Sequence, residues 1–325
     1  MVALGAAVLI VILLLLGIRG CLDARKERGF ENYVSDLGAI AAESQQLSDD
    51  FFGRLQDPPQ GLDELGIEAQ IATDRGTAEG LLQRVEGLDT PDELGEAQAE
   101  LVEAFTLRRD GLAGIADDIP TALGDEGRVD ALSRMVGDME AFLASDVLYR
   151  RAQADIEAVL NEQQVDGNVP GSEFLPEPHS LWLDRVDLAG TLVTFATEAG
   201  VASPGTHGLA LLGVRLDNTD LIPDSENTIS LRDPSSFELA ADVQNQGDTQ
   251  EKEVVVSYTL SGAGTSFDGE STIGGIDAQG TDETTIRVDA EPNTGVPLTL
   301  QVEVIPVVGE SIFDNNAATY TVIFD

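Results

Sequence analysis

The sequence contains very few of the side chains that hold zinc or carry covalent catalysis. With only one cysteine, Cys21, it cannot form an intramolecular disulfide, and its two histidines are His179 and His207. A zinc site built from thiolates and imidazoles usually takes about four such ligands, more than this composition supplies. We therefore expect neither a disulfide-stabilised domain nor a zinc-binding one.

Basic residues are scarce as well. The 325 residues include 18 Lys and Arg against 59 Asp and Glu, which gives a formal net charge of −41. This charge would repel nucleic acids and anionic lipid surfaces, so we expect no nucleic-acid partner. The chain is 42% hydrophobic, a globular composition. Its acidity is most simply explained as a source of solubility for a protein displayed in water.

Motifs of common enzyme classes are also absent. The sequence has no G-x-S-x-G nucleophile elbow, no G-x-x-x-x-G-K phosphate loop and no H-E-x-x-H zinc-protease motif. Both histidines are expected in loops, because His179 lies among prolines and His207 lies in the segment Ser-Pro-Gly-Thr-His-Gly. We therefore predict that the protein is not an enzyme and has no catalytic residue and no cofactor.

A long hydrophobic run lies near the N-terminus. Residues 2–18 are 17 consecutive uncharged and almost wholly apolar positions. As a helix they reach about 25 Å, the short end of what spans a hydrocarbon layer of ~30 Å. No basic residue precedes the run and Arg19 follows it at once, unlike a cleaved signal peptide. We predict a retained single-pass transmembrane helix in the lipid bilayer of the plasma membrane.

Cys21 follows this run in the segment Ile18-Arg19-Gly20-Cys21. The segment resembles a bacterial lipobox at three positions, the aliphatic residue, the glycine and the cysteine, while Arg19 departs from the pattern. Two interpretations stay open, a lipidated Cys21 and an unpaired thiol beside the membrane.

Residues 22–165 carry apolar side chains at helical spacing. One stripe consists of Leu94, Ala97, Leu101, Phe105 and Leu112. Four such stripes with short breaks between them predict an antiparallel bundle of about four helices. We expect Arg108 and Arg109 to form ordinary inter-helix or surface ion pairs, the alternative being that they bind a carboxylate ligand.

Frequent glycine and proline mark residues 166–204 as a linker or docking segment between two domains. The only tryptophan, Trp182, lies in this segment. We expect its ring to be buried at the domain junction, with a ligand platform as the alternative.

Residues 205–325 change to a two-residue hydrophobic period. About seven short strands joined by Gly, Asn, Asp and Pro turns predict an immunoglobulin-like β-sandwich, although the Cys…Trp…Cys pattern of antibody domains is absent. The residues expected to face the core include Val256, Leu300 and Val302, and those expected to face outwards include Thr299 and Gln301. The predicted fold class is therefore multi-domain α + β.

Three turn motifs stand out in the same region. Residues 243–248 read V-Q-N-Q-G-D, residues 275–280 read G-I-D-A-Q-G, and residues 309–316 read G-E-S-I-F-D-N-N. They resemble the V-x-N-x-G, L-x-x-G and E-x-x-x-x-N-N elements of the bacterial CARDB family, the cell-adhesion-related immunoglobulin-like domain. The resemblance covers residues 207–324 and implies a location outside the cytoplasm.

We expect structural roles for the polar and glycine residues of these motifs, because Asn and Gly tolerate the positive φ values of tight turns. These residues are Asn245, Gly247, Gly280, Asn315 and Asn316. Calcium is the alternative, since carboxylates near the turns offer hard oxygen ligands, although without EF-hand spacing. The carboxylates concerned are Asp217, Asp220, Asp224, Glu226 and Asp314.

These observations predict a membrane-anchored bacterial cell-envelope protein that presents an immunoglobulin-like domain for adhesion to a protein or glycan partner. The basic residues at 19–28 would keep the body in the cytoplasm by the positive-inside rule. The family resemblance implies the opposite orientation, and we favour an extracytoplasmic body. The alternative function is a sensory or accessory subunit whose helical bundle binds a small ligand.

Overall fold

The computed structural model describes residues 2–59, 64–124, 126–199, 205–233 and 235–325. For residues 2–24 and a few positions at 64–68 and 198–199 it describes only the backbone. The chain divides into two compact units. The first consists of Met1–Phe51, Ala72–Ala113 and Glu140–Pro176, and the second of Phe52–Ile71, Gly114–Met139 and Glu177–Asp325.

Four long helices account for the four apolar stripes of the sequence. They are α1 (Val2–Gln56), α2 (Glu64–Glu86), α3 (Gly95–Ala122) and α4 (Arg128–Gln163). A 3₁₀ helix at Asp92–Leu94 precedes α3, and two shorter helices follow, α5 (Ser180–Leu183) and α6 (Arg185–Ala199). The predicted helical bundle is confirmed.

The first unit packs the apolar faces of the long helices against one another. Its largest buried aromatic side chains are Phe30, Tyr33, Phe105, Phe142, Tyr149 and Phe174. Polar bonds join the helices, since Tyr33 donates its hydroxyl to Gln98 Oε1 at 2.7 Å and Gln98 Nε2 donates to the carbonyl of Val85 at 2.6 Å. Burial raises the pKa of Tyr149 to about 12, as expected for a phenol removed from water.

The described residues of the second unit form nine strands. They are β1 (Leu209–Leu216), β2 (Thr219–Asp220), β3 (Glu226–Ile229), β4 (Phe237–Asn245), β5 (Glu251–Gly262), β6 (Thr265–Ile276), β7 (Thr281–Val288), β8 (Pro297–Val304) and β9 (Ala317–Phe324). Four of them form a sheet in the order β2-β1-β4-β7, and five form a sheet in the order β3-β9-β8-β5-β6. Neighbouring strands are antiparallel except β3 and β9, which are parallel. The prediction of about seven strands was therefore too low.

The inward residues of both sheets form one hydrophobic core, as alternation along the strands dictates. Val256, Leu300 and Val302 are 0% exposed, whereas Thr299 and Gln301 are exposed. The predicted faces of β5 and β8 are confirmed.

Part of the predicted linker is helical. Within the second unit, α5 and α6 bury one apolar side, formed by Trp182, Leu188, Leu192, Val193 and Phe195. Trp182 is fully buried, with its ring edge-on to Phe52 at 4.7 Å between centroids. This confirms its burial and leaves no exposed ring face for a ligand platform.

The structure corrects the predicted fold class. Among the residues that it describes, no helix is both long enough and apolar enough to cross a membrane. Residues 2–18 belong to α1, and their side chains lie outside the described ones. With 17 residues, the run is at the lower limit of the roughly 17–25 residues of a spanning helix. The described part of the chain therefore comprises six helices and two sheets without a transmembrane helix.

Candidate functional site

The three turn motifs lie in one group of loops. Asn245, in the first motif, holds parts of this group together by hydrogen bonds. Asn245 is fully buried at the end of β4. Its Nδ2 donates to the carbonyls of Thr249 at 2.7 Å and Ile276 at 2.9 Å, and its Oδ1 accepts the N–H of Gly247 at 2.8 Å. One amide therefore joins the end of β4, the following turn and the end of β6.

Two glycines of these motifs, Gly247 and Gly280, are required by close backbone approach, whereas Gly309 has a positive φ of 89°. A Cβ on Gly247 would lie 2.3 Å from the carbonyl oxygen of Thr206, and one on Gly280 would lie 2.8 Å from that of Asp277. Neither glycine has a positive φ. Our expectation of left-handed turn conformations was therefore wrong for both positions, and steric exclusion of a side chain takes its place.

Glu310, the first residue of the third motif, is a buried carboxylate that orders its loop. Its Oε1 accepts the N–H of Leu209 at 2.9 Å and Nδ2 of Asn316 at 3.0 Å, while Oε2 accepts the N–H of Val307 at 2.9 Å. Burial raises the pKa of Glu310, against the opposing effect of these hydrogen bonds. The sequence analysis did not select Glu310, although its place in the E-x-x-x-x-N-N motif was a usable signal.

Asn315 connects the third motif to the first, and Asn316 connects it to strand β8. Asn315 donates its Nδ2 to Gln246 Oε1 at 3.1 Å, and its carbonyl accepts the N–H of Leu211 at 2.8 Å. The carbonyl of Asn316 accepts the N–H of Val304 at 2.8 Å. The Oδ1 atoms of both asparagines are buried and have no hydrogen-bond partner among the described residues.

His207 lies in the same group of loops, buried rather than exposed. Its Nδ1 is 2.8 Å from Glu251 Oε1 and 3.3 Å from Thr249 Oγ1, and its side chain is 7% exposed. A hydrolase triad places the nucleophile and the acid on opposite ring nitrogens. Here both oxygens approach the same nitrogen, so these three residues do not form such a triad. His179, the other histidine, lies 3.5 Å from Glu177 through Nε2.

The carboxylates considered for calcium are dispersed or engaged elsewhere. Asp217 accepts the backbone N–H of Glu238 through Oδ1 at 2.9 Å. Asp220 belongs to β2, Asp224 occupies a turn with φ 57°, and Glu226 begins β3. Across the part of the chain that the structure describes, no three or more His, Cys, Asp or Glu side chains are grouped to hold a metal ion.

In the first unit, Arg108 is buried in the helical bundle with every N–H group bonded. Nε donates to Ser145, Nη1 to the hydroxyls of Ser44 and Ser172, and Nη2 to Asp146 Oδ1 and the carbonyl of Ser172, at distances of 2.9–3.1 Å. The expected inter-helix ion pair is confirmed. No N–H of this guanidinium is left for a carboxylate ligand.

Arg109 instead pairs with Glu79 at 3.2 Å and is about one-third exposed. The last candidate, Cys21, lies among the residues whose side chains are outside the description, so its lipidation stays a prediction.

Comparison with known proteins bears on the β-sandwich. Residues 218–320 match the model of the CARDB family, which confirms the resemblance of the C-terminal region to that family. The match covers roughly a third of the chain. No curated protein matches the chain.

Two similar solved structures are of the CARDB domain of the PF1109 protein from Pyrococcus furiosus. A crystal structure in complex with di-metal ions is 15% identical, with a TM-score of 0.28, and the similarity covers 37% of this chain and 90% of that chain. A solution NMR structure is 15% identical, with a TM-score of 0.27 and coverage of 37% and 97%. A β-glucosidase, EmGH1 from Erythrobacter marinus, is 12% identical over 36% of this chain and 16% of its own length, with a TM-score of 0.23.

Proposed function

We propose that this chain is a non-enzymatic bacterial cell-envelope protein whose β-sandwich is presented outside the cytoplasm for adhesion to a protein or glycan. The observation that carries the proposal is the match of residues 218–320 to the CARDB family, whose domains are adhesion-related and immunoglobulin-like. We infer the adhesive role and the location from that match.

The hydrogen bonds of the motif loops support a presenting role. Asn245, Glu310 and Asn316 direct most of their polar atoms at neighbouring backbone or at each other, which fixes the loops in one conformation. A rigid scaffold with ordered loops is suited to recognition, because little conformational entropy is lost on binding.

The alternative function, a sensor whose bundle binds a small ligand, receives less support from the structure. Arg108 was one of the bundle cations considered for a carboxylate ligand, and its N–H groups are all bonded within the first unit. We therefore favour the adhesive proposal.

Location can be tested by protease treatment of intact cells from which any outer barrier has been removed. We expect added protease to remove the region 207–325 before lysis. An antibody to a cytoplasmic protein serves as the control for cell integrity. Digestion of this region only after lysis would overturn the proposed location.

Adhesion can be tested by comparing the attachment of cells with and without the chain to surfaces coated with protein or polysaccharide. Loss of the chain should reduce attachment, and Leu300→Ala, which removes a fully buried core side chain, should do the same. Gln301→Ala, on the exposed side of the same strand, should restore attachment. Equal attachment with and without the chain would overturn the adhesive role.

A further inference from the structure

A cleft in the second unit separates helix α6 from the end of the five-stranded sheet. Its volume is about 480 Å³, within the usual range of small-molecule sites. The lining on the helix side includes Asp187, Gly190 and Thr194, and the lining on the sheet side includes Glu303 and Asn316. Apolar side chains supply much of the remaining wall, namely Leu181, Val186, Val304, Pro306, Phe313 and Ala317.

An unpaired buried acceptor lies in this wall. Asn316 is 3% exposed, and its Nδ2 is held by Glu310. Its Oδ1 has no hydrogen-bond partner among the described residues. Because a buried amide oxygen without a partner is costly, such an atom at the edge of a cleft indicates a place for a donor that binds there.

The charge of the cleft has one sign. Glu303 is half-buried and Asp187 lies at the exposed rim, while no Lys, Arg or His among the described residues contributes to the lining. Burial, followed by the neighbouring carboxylates of Asp184 and Asp187, raises the pKa of Glu303, against a hydrogen bond from Gln301. A cation in the cleft would relieve this repulsion.

Open space also faces the helix. A Cβ built on Gly190 meets no atom within 4 Å outside its own helix turn, although glycine weakens a helix interior relative to alanine. The glycine therefore keeps the helix side of the cleft free of a side chain.

We infer that this cleft binds a small organic ammonium ion, with its charged group between Glu303 and Asp187, a donated hydrogen bond to Asn316 Oδ1, and its apolar part against Val186 and Phe313. The apolar wall favours an organic cation over a hydrated metal ion, which would leave that surface uncovered by apolar contact. Phe313, which is half-buried, lines the cleft, and an aromatic ring attracts such a group. This site is separate from the adhesive role proposed above.

The test uses the full chain and 2-phenylethylammonium as the probe, titrated by calorimetry at fixed moderate salt. The neutral analogue 2-phenylethanol has nearly the same shape and serves as the ligand control. We expect saturable binding of the ammonium ion, at least about tenfold tighter than that of the alcohol.

Three variants separate the cleft from the general acidity of the chain. Glu303→Gln should weaken binding at least about fivefold, whereas Glu226→Gln, which removes the same charge at an exposed position of β3, should change it less than about twofold. Gly190→Leu should block the cleft and abolish binding while leaving the helix intact. The melting temperature of each variant verifies that it is folded.

The inference is overturned by any of four results. These are no saturable binding of the ammonium ion, equal affinity for the alcohol, equal losses for Glu303→Gln and Glu226→Gln, or unchanged binding by a folded Gly190→Leu variant. Asp187→Asn provides a second charge variant at the cleft if Glu303→Gln does not fold.

Discussion

The buried side chain of Arg108 needs many partners in the helical bundle, because its charge is removed from water and all five of its N–H groups need acceptors. Burial lowers the pKa of Arg108, while Asp146 opposes that effect. The guanidinium stays charged, because an arginine side chain keeps its proton throughout the ordinary pH range. Asp146 in turn accepts the backbone N–H groups of Phe174 at 2.7 Å and Leu175 at 3.0 Å. The ion pair therefore also fixes the segment that follows α4.

Replacing Arg108 with methionine should destabilise the chain by about 3–5 kcal/mol, because the buried carboxylate of Asp146 loses its cation. Urea unfolding followed by helical circular dichroism measures the change. The neighbouring Arg109→Met is the control, and since Arg109 is partly exposed we expect a loss below about 1 kcal/mol. Equal losses at the two positions would contradict the distinct roles assigned to them.

The different burial of Arg108 and Arg109 could not be predicted from the sequence. Arg108 and Arg109 are adjacent on α3, so they point about 100° apart around the helix. The sequence predicted ion pairs for both. It could not decide which arginine faces inward, because the acceptors of Arg108 come from α1, α4 and the segment around Ser172, far away in the chain.

Gly247→Ala should destabilise the β-sandwich by about 1–3 kcal/mol, because the new Cβ would lie against the carbonyl oxygen of Thr206. Thermal unfolding followed at a β-sheet wavelength measures the effect. In the control Gly137→Ala, within α4, the new Cβ meets no atom within 4 Å outside its own helix turn. We expect that change to stabilise the chain by roughly 0.5–1 kcal/mol. A neutral Gly247→Ala variant would refute the requirement for close approach.

Strand β8 offers a test of register at the scale of one element. Leu300 pairs with Leu260 of β5 and Tyr320 of β9, and it is fully buried. Leu300→Ala should cost about 2–5 kcal/mol through lost burial and a residual cavity. The exposed Gln301→Ala should cost less than about 0.5 kcal/mol. Denaturant melts of the two variants compare them, and a greater loss for Gln301→Ala would mean that the faces are inverted.

Most strands could be predicted because apolar and polar residues alternate along them. Where this alternation is absent, part of a strand was missed. Only Ile273–Ile276 of β6 could be predicted, because the first part of that strand carries polar residues such as Ser266, Asp268 and Glu270 at exposed positions. This part belongs to the sheet through its backbone pairing with β5 at one edge. The cleft beside α6 was unpredictable for a related reason. Gly190 and Asn316 lie far apart in the chain and are brought together only by the tertiary fold.

The net charge of −41 governs a property of the whole molecule. Self-repulsion opposes the compact state, and it is screened over ~10 Å at about 0.1 M salt. Raising the salt concentration from low to moderate should therefore increase the melting temperature, measured by differential scanning calorimetry. Sodium and potassium chloride should act alike if the effect is screening. A flat or falling melting temperature would contradict unrelieved acidic repulsion.

The parallel pair of β3 and β9 has a consequence for the order in which the molecule matures during synthesis. Asn227 in β3 donates to the carbonyl of Thr321 in β9, 94 residues later. A ribosome adding about 5–20 residues per second exposes β3 several seconds before its partner strand exists. During that interval β3 has no neighbour in its sheet, whereas each long helix can form from local contacts as it emerges. The sandwich is therefore completed late in biogenesis, and the helical segments form early.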